Sequence, residues 1–136
     1  MIRKIYKDDV DVVTQLGMNY DKNFINTYHI LEYINNPIYE IYVYDEDGIK
    51  GFIIGTNLNK EKEIHLIYVD KMFRKQNIGF QLLSFFENEA STIILEVSIE
   101  NFPALKLYQK AGYKEISRRK GYYNGVDAIV MKKEFK

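Results

Sequence analysis

Apolar and polar positions change period several times along the chain, and each change predicts an element. Residues 2–6 alternate as a short strand. Val10, Val13, Leu16 and Gly17 then recur at helical spacing behind Asp8 and Asp9, either of which can cap a helix by accepting backbone N–H bonds. A second helical stretch over 24–34 sets Phe24, Tyr28, Leu31 and Ile34 on one side and stops at Asn35-Asn36-Pro37. From there the period drops to two. Residues 39–44 are β-branched and aromatic, Asp47-Gly48 is a hairpin turn that tolerates positive φ, and 49–56 is the partner strand. After a polar turn over 57–62, residues 63–70 form a strand with Ile64, Leu66 and Tyr68 on one face and His65, Ile67 and Val69 on the other.

The second half repeats the alternation of helix and strand. Ile78, Leu82, Phe85 and Phe86 make a helical apolar stripe starting at Asn77, and residues 92–97 read as a buried strand. Asn101 can cap a helix carrying Ala104, Leu107, Tyr108 and Ala111, which Gly112 is placed to end. Residues 113–119 and 126–135 are two final antiparallel strands joined around Tyr123-Asn124-Gly125. The order β-α-α-β-β-β-α-β-α-β-β is that of one α/β (α+β) domain over residues 1–136, with no repeat, linker or low-complexity tract. Strands 63–70 and 92–97 with the helix between them form a βαβ unit, so they are parallel neighbours with a right-handed crossover. The crevice at their carboxyl ends is a natural ligand site.

Composition narrows the classes. At 136 residues and 46% hydrophobic the chain fits one packed core. Formal net charge is zero, which disfavours bulk nucleic-acid binding. There is no cysteine, and His29 and His65 are the only histidines, so neither a thiolate nor a multi-histidine metal centre can be built and no metal is expected. Residues 1–9 hold no apolar signal core, and no apolar run approaches the ~20 residues of a membrane span; the expectation is a cytoplasmic protein without a membrane partner, as a monomer or homodimer.

The connection Val69-Asp70-Lys71-Met72-Phe73-Arg74-Lys75-Gln76-Asn77-Ile78-Gly79-Phe80 leads from strand to helix. Such a turn aims several N–H groups at one point, the helix dipole adds partial positive charge, and Arg74 and Lys75 bring full charges. The result suits a pyrophosphate, although the glycine-rich patterns of triphosphate and dinucleotide loops are absent. Arg74-x-x-Asn77-x-Gly79 resembles the R/Q-x-x-G-x-G/A signature of the GNAT acetyltransferases, with Asn77 in place of the first glycine; asparagine tolerates left-handed backbone well. Leu95-Glu96-Val97 with Asn101, Ala104, Leu107-Tyr108 and Gly112-Tyr113 is similar to the L-E-V-x-x-x-N-x-x-A-x-x-L-Y-x-x-x-G-F run of the GNAT branch that acetylates the N-terminal alanine of a ribosomal protein. Arg118-Arg119-Lys120-Gly121-Tyr122-Tyr123 and Asp127-Ala128-Ile129-Val130-Met131 resemble that branch's R-R-x-Y-Y and E-D-A-x-x-M.

The resemblance implies a mixed, mostly antiparallel sheet of six to seven strands flanked by about four helices, with the parallel pair forming an acetyl-CoA cleft. It implies an acetyl-CoA-dependent N-acetyltransferase with a primary amine as acceptor, a peptide or protein N-terminus first, and no metal. Backbone groups of Ile67, Tyr68 and Val69 would pair with the pantetheine arm. Lys75, Gln76, Asn77, Ile78, Gly79 and Phe80 would cradle the pyrophosphate beside Arg74, and Asn101 would hold the cofactor further along. Glu96 matches the branch's general base and Tyr108 its general acid. Two departures fall where an acceptor would sit: the chain has no tryptophan for the branch's aromatic-proline-tryptophan motif, and the hairpin over 122–127 is short. They keep a small-molecule amine acceptor open as an alternative, and Asn77 in place of the first glycine keeps open a non-catalytic acyl-CoA-binding module.

The chemistry asks for these residue types. An alkylamine is protonated at neutral pH, and a carboxylate can take that proton, directly or through water. The departing thiolate has a parent pKa of ~8.5, which a nearby phenol can serve as proton donor. A backbone N–H near residues 67–69 can steady the oxyanion. Glu96 lies between apolar Leu95 and Val97, surroundings of the kind that desolvate a base; it also reads as a structural acid paired with a basic residue. Tyr108 also fits a helix aromatic packed on the sheet. Glu63 is a rival base, ranked below Glu96, and His65 reads as a sheet residue. Arg118, Arg119 and Lys120 beside Tyr122 and Tyr123 either shape the acceptor site or blunt an edge strand.

Overall fold

In the computed structural model, which describes residues 1–136, seven strands form one sheet in the order β1-β2-β3-β4-β5-β7-β6. They are β1 (Ile2–Lys4), β2 (Tyr39–Asp45), β3 (Ile49–Leu58), β4 (Glu61–Val69), β5 (Thr92–Ser98), β6 (Lys114–Tyr123) and β7 (Val126–Glu134). Only β4 and β5 pair in parallel, and every other neighbouring pair is antiparallel. The helices are α1 (Val10–Tyr20), α2 (Phe24–Thr27), α3 (Ile30–Ile34), α4 (Ile78–Phe86) and α5 (Phe102–Lys110). The parallel pair is the one the sequence pattern predicts, and the mixed, mostly antiparallel sheet is the one the family resemblance implies.

Strand alternation divides the apolar side chains between two cores. On one face, Val13, Leu16, Phe24 and Ile30 of α1–α3 pack on Ile41, Val43, Phe52 and Ile54. On the other, Ile78, Leu82, Phe86 and Tyr108 of α4 and α5 pack on Ile53, Ile93, Leu95, Val97 and Met131. Glycine sets two close approaches. A Cβ on Gly17 would overlap the Phe24 ring, and one on Gly55 would overlap Phe86 and stand 2.6 Å from the Glu63 carbonyl.

The strand β4 corrects the sequence reading. Ile64, Leu66 and Tyr68 do not share a face. The β3–β4 register steps from Ile54↔Leu66 to Gly55↔Ile64, so His65 is an extra residue in β4. Such a bulge reverses the alternation. Ile64 joins the core under α4, whereas Leu66 and Tyr68 join the core under α1–α3. The β4–β5 ladder ends at the same point, its last pair being Ile64↔Leu95. Residues 65–69 therefore have no partner on β5, and the two strands part.

Two further expectations change. The helix expected over 24–34 is broken at Tyr28, which is extended (φ −118°, ψ 116°). Ile25, Asn26 and Thr27 are weak helix formers, and the break buries Ile30 and leaves Leu31 half exposed. Asp9 does not cap α1. It ends a 3₁₀ turn (Lys7–Asp9), and its carboxylate accepts from Tyr6 N at 2.7 Å and from the Arg3 guanidinium at 2.7 and 3.0 Å. Arg3 also reaches Asp45, which ties β1 to the β2–β3 hairpin. The expected turn over 57–62 tightens to Asn59-Lys60, both at positive φ, and the flanking strands lengthen.

Candidate active site

Where β4 and β5 part, a groove of about 910 Å³ opens toward α4 and α5. One wall is the end of β4, with Ile67, Tyr68 and Val69. The other is α5, from Asn101 to Lys110, and the loop before α4 forms the end. Of the residues named from sequence for the cofactor, Ile67, Tyr68, Val69, Arg74, Lys75, Asn77, Ile78, Gly79, Phe80 and Asn101 line this groove, while the Gln76 side chain does not.

The loop's backbone explains its chemistry. Lys75 and Asn77 are left-handed (φ 67° and 65°), and Asn77 is the residue before α4. Its side chain makes no capping bond. The N–H groups of Ile78, Gly79 and Phe80 thus have neither an intrahelical acceptor nor a side-chain cap, and they open on the groove at the positive end of the α4 dipole. Anions are the natural partners of such a cluster. Arg74 is turned back along β4: its Nε donates to the Val69 carbonyl at 3.1 Å, and the guanidinium lies 5.6 Å from the Tyr68 ring centre. No aspartate or glutamate lines the groove.

Tyr108 is 5% exposed and lies at the groove's inner end. Burial pushes its phenol pKa well up, with smaller contributions from Tyr20 and Tyr28, so it carries its proton at every physiological pH. Tyr28 donates to the carbonyl of His65 at 3.4 Å, across the bulge itself.

Glu96 is not in this groove. Leu95 and Val97 point into the α4–α5 core, so strand alternation sends Glu96 to the opposite face. The apolar neighbours in sequence therefore do not enclose its carboxylate. It lies instead in a small hollow of about 320 Å³ with Glu63, Ile94, Arg119, Tyr122 and Val130. Arg119 Nε stands 3.0 Å from Glu96 Oε2, and its guanidinium lies over the Tyr122 ring at 4.9 Å. Tyr123 is close by: its phenol is pushed up by burial first, then by Glu96, Tyr122 and Tyr20. Glu63 is exposed and in no ion pair. His65 sits beside Thr56 at 3.4 Å, and burial lowers its pKa. Arg118 faces Glu115 and Asp127 at 3.5 and 3.7 Å. The parting of β4 and β5 thus has a cationic groove on one face and a carboxylate with two tyrosines on the other.

Sequence reasoning missed Tyr20, Phe73, Phe102, Lys106 and Lys110, all of which line the groove. The signal for the last two was present: they are four apart on the helix that Asn101 caps, so they project from one side.

A sheet split at one parallel pair, with an uncapped helix start at the split, is the architecture the acetyltransferase resemblance implies, and the family comparison agrees. Residues 9–135 match the acetyltransferase (GNAT) domain model, and the chain belongs to this family of N-acetyltransferases. It is 31% identical to an uncharacterized N-acetyltransferase of Methanocaldococcus jannaschii, over 98% of this chain and 91% of that protein. A 78-residue stretch is 37% identical to a Mycobacterium leprae protein, of which it spans 22%. In structure it resembles the ribosomal-protein-S18-alanine N-acetyltransferase of Escherichia coli, with a TM-score of 0.83 at 23% identity over 98% of this chain and 92% of that one. No helix is long and apolar enough to cross a membrane.

Proposed function

We propose that the chain transfers the acetyl group of acetyl-CoA to a primary amine, with a peptide or protein N-terminus as acceptor. The observation that carries this reading is the parting of β4 and β5 after Ile64↔Leu95, with the groove on one face of the sheet and Glu96 on the other. The acceptor class is supported by relatives named for N-alpha-acetylation, among them a RimI N-alpha-acetyltransferase of Mycobacterium tuberculosis, 35% identical over 54% of this chain and 49% of that protein.

Acetyl-CoA supplies an activated thioester. The amides of Ile78, Gly79 and Phe80, with Lys75, hold its pyrophosphate, and the unpaired edge of β4 at Ile67–Val69 lines the pantetheine arm. Glu96 receives the amine from the opposite face, passes the ammonium proton to solvent so that the nitrogen lone pair can attack the carbonyl carbon, and takes the second N–H proton as the tetrahedral intermediate forms. The C–S bond then breaks, and the Tyr108 O–H donates a hydrogen bond to the departing sulfur. Because burial raises the phenol's pKa, full transfer of its proton to a thiolate is uphill. Tyr108 therefore steadies the thiolate until the amine's proton reaches it and leaves a free thiol.

The test is an assay of free thiol with acetyl-CoA against N-terminal peptides and small amines. Glu96→Gln lowers kcat by about 10²–10⁴-fold and Tyr108→Phe by about 10–10²-fold, with CoA affinity retained. A small amine preferred in kcat/KM over every peptide overturns the acceptor assignment. Wild-type rates in both variants overturn the catalytic one.

A further inference from the structure

The groove carries more positive charge than a pyrophosphate requires. Arg74, Lys75, Lys106 and Lys110 all line it, no carboxylate does, and none of the four is in an ion pair. Several cations elsewhere face a carboxylate, among them Arg3, Lys62, Arg119 and Lys133, and what sets the groove apart is that four cations gather there with no carboxylate among its lining residues. In a chain of zero net charge, this is a local excess. The uncapped amides of α4 and Lys75 already form an anion site at the loop. Lys106 and Lys110 belong to the opposite wall, are exposed, and lie one helical turn apart on α5.

The spacing between the walls is fixed by packing. A Cβ on Gly79 would stand 3.5 Å from Leu107 Cδ2, so the first turn of α4 touches α5 between the two lysines. The Lys110 ammonium is 6.0 Å from the ring centre of Phe80, the next residue along α4. The α5 cations therefore flank the loop site without being part of it. A ligand that fills both carries a diphosphate and, a few ångströms away, a separate phosphate. Coenzyme A has that chemistry, since its adenosine ribose bears a 3′-phosphate monoester apart from the pyrophosphate.

Building on the groove's reading as a coenzyme A site, we propose that Lys106 and Lys110 form a second phosphate subsite that takes the 3′-phosphate and makes the chain selective for coenzyme A over its 3′-dephospho form. Two charge-assisted contacts from exposed ammonium groups give a preference on the order of tenfold at low salt. Ionic screening reduces that preference as salt is raised.

Calorimetric titration of the full chain with coenzyme A and with 3′-dephospho-coenzyme A tests this directly. Wild type binds coenzyme A about tenfold more tightly at low salt. Lys106→Ala/Lys110→Ala brings the ratio below about threefold by weakening coenzyme A alone, and Lys106→Arg/Lys110→Arg restores it. Thermal melts of the variants, both changed only at exposed positions, report folding. Equal affinities in wild type, or a preference that survives in the double alanine variant, overturn the subsite while leaving the groove a coenzyme A site. Absence of binding by either ligand overturns the groove's reading and the subsite together.

Discussion

The two helices on the cofactor face, α4 and α5, both begin after an asparagine, and the two asparagines behave oppositely. Asn101 has the ordinary role: its Oδ1 accepts from Ala104 N at 3.4 Å and closes the start of α5. Asn77 is left-handed and makes no such bond, so the first amides of α4 are left for an external partner. The same residue type at the same helical position thus stabilises a helix in one case and keeps a helix end open in the other. What separates them is backbone conformation, and the open end is the one that faces four unpaired cations.

That contrast can be broken most severely at Asn77. Asn77→Asp sets a carboxylate among the free amides, where it competes with any anionic ligand. Coenzyme A affinity falls by about a hundredfold or more while the melting temperature holds or rises, because acidic residues favour helix starts. An unchanged affinity by calorimetry contradicts the open-end reading. A smaller effect comes from the backbone alone. Asn77→Val must hold a β-branched residue at φ 65°, at a cost of roughly 1–2 kcal/mol, and loses about tenfold in affinity; Asn77→Gly keeps the conformation and stays near wild type. Equal affinities for the two variants remove the left-handed turn from the account. The smallest effect is at the other helix. Asn101→Ala costs about 1 kcal/mol of stability, read as a fall of several degrees in Tm. A loss of coenzyme A affinity as large as that of Asn77→Asp with no change in Tm erases the contrast between the helix ends.

The fold was largely legible because period and turn chemistry agreed along most of the chain. The parallel pair followed from the run of strand, helix and strand. The bulge at His65 did not, since Lys62, Ile64, Leu66 and Tyr68 are all buried and the burial alternation continues unbroken across it. Only the two-sided division of those side chains between cores exposes the reversal. Gly55, opposite the bulge, was the one available hint. The surroundings of the Glu96 carboxylate were not legible for a related reason: Leu95 and Val97 are its neighbours in sequence, but in a strand they face away from it. The break at Tyr28 depended on which of Ile30 and Leu31 the core would take, and periodicity alone admits either. The α5 lysines were overlooked because charged helix residues ordinarily face water, and only the packing of Gly79 against Leu107 brings them to the groove.

Ligand entering the split between β4 and β5 should be held by the start of α4. Backbone amide shifts of the full chain, followed by ¹⁵N NMR during titration with coenzyme A, test it residue by residue. The largest changes are expected at Ile78, Gly79 and Phe80, then at Ile67–Val69, with β1 and β2 unmoved. Saturable binding whose largest changes fall outside α4 and the end of β4 would contradict it.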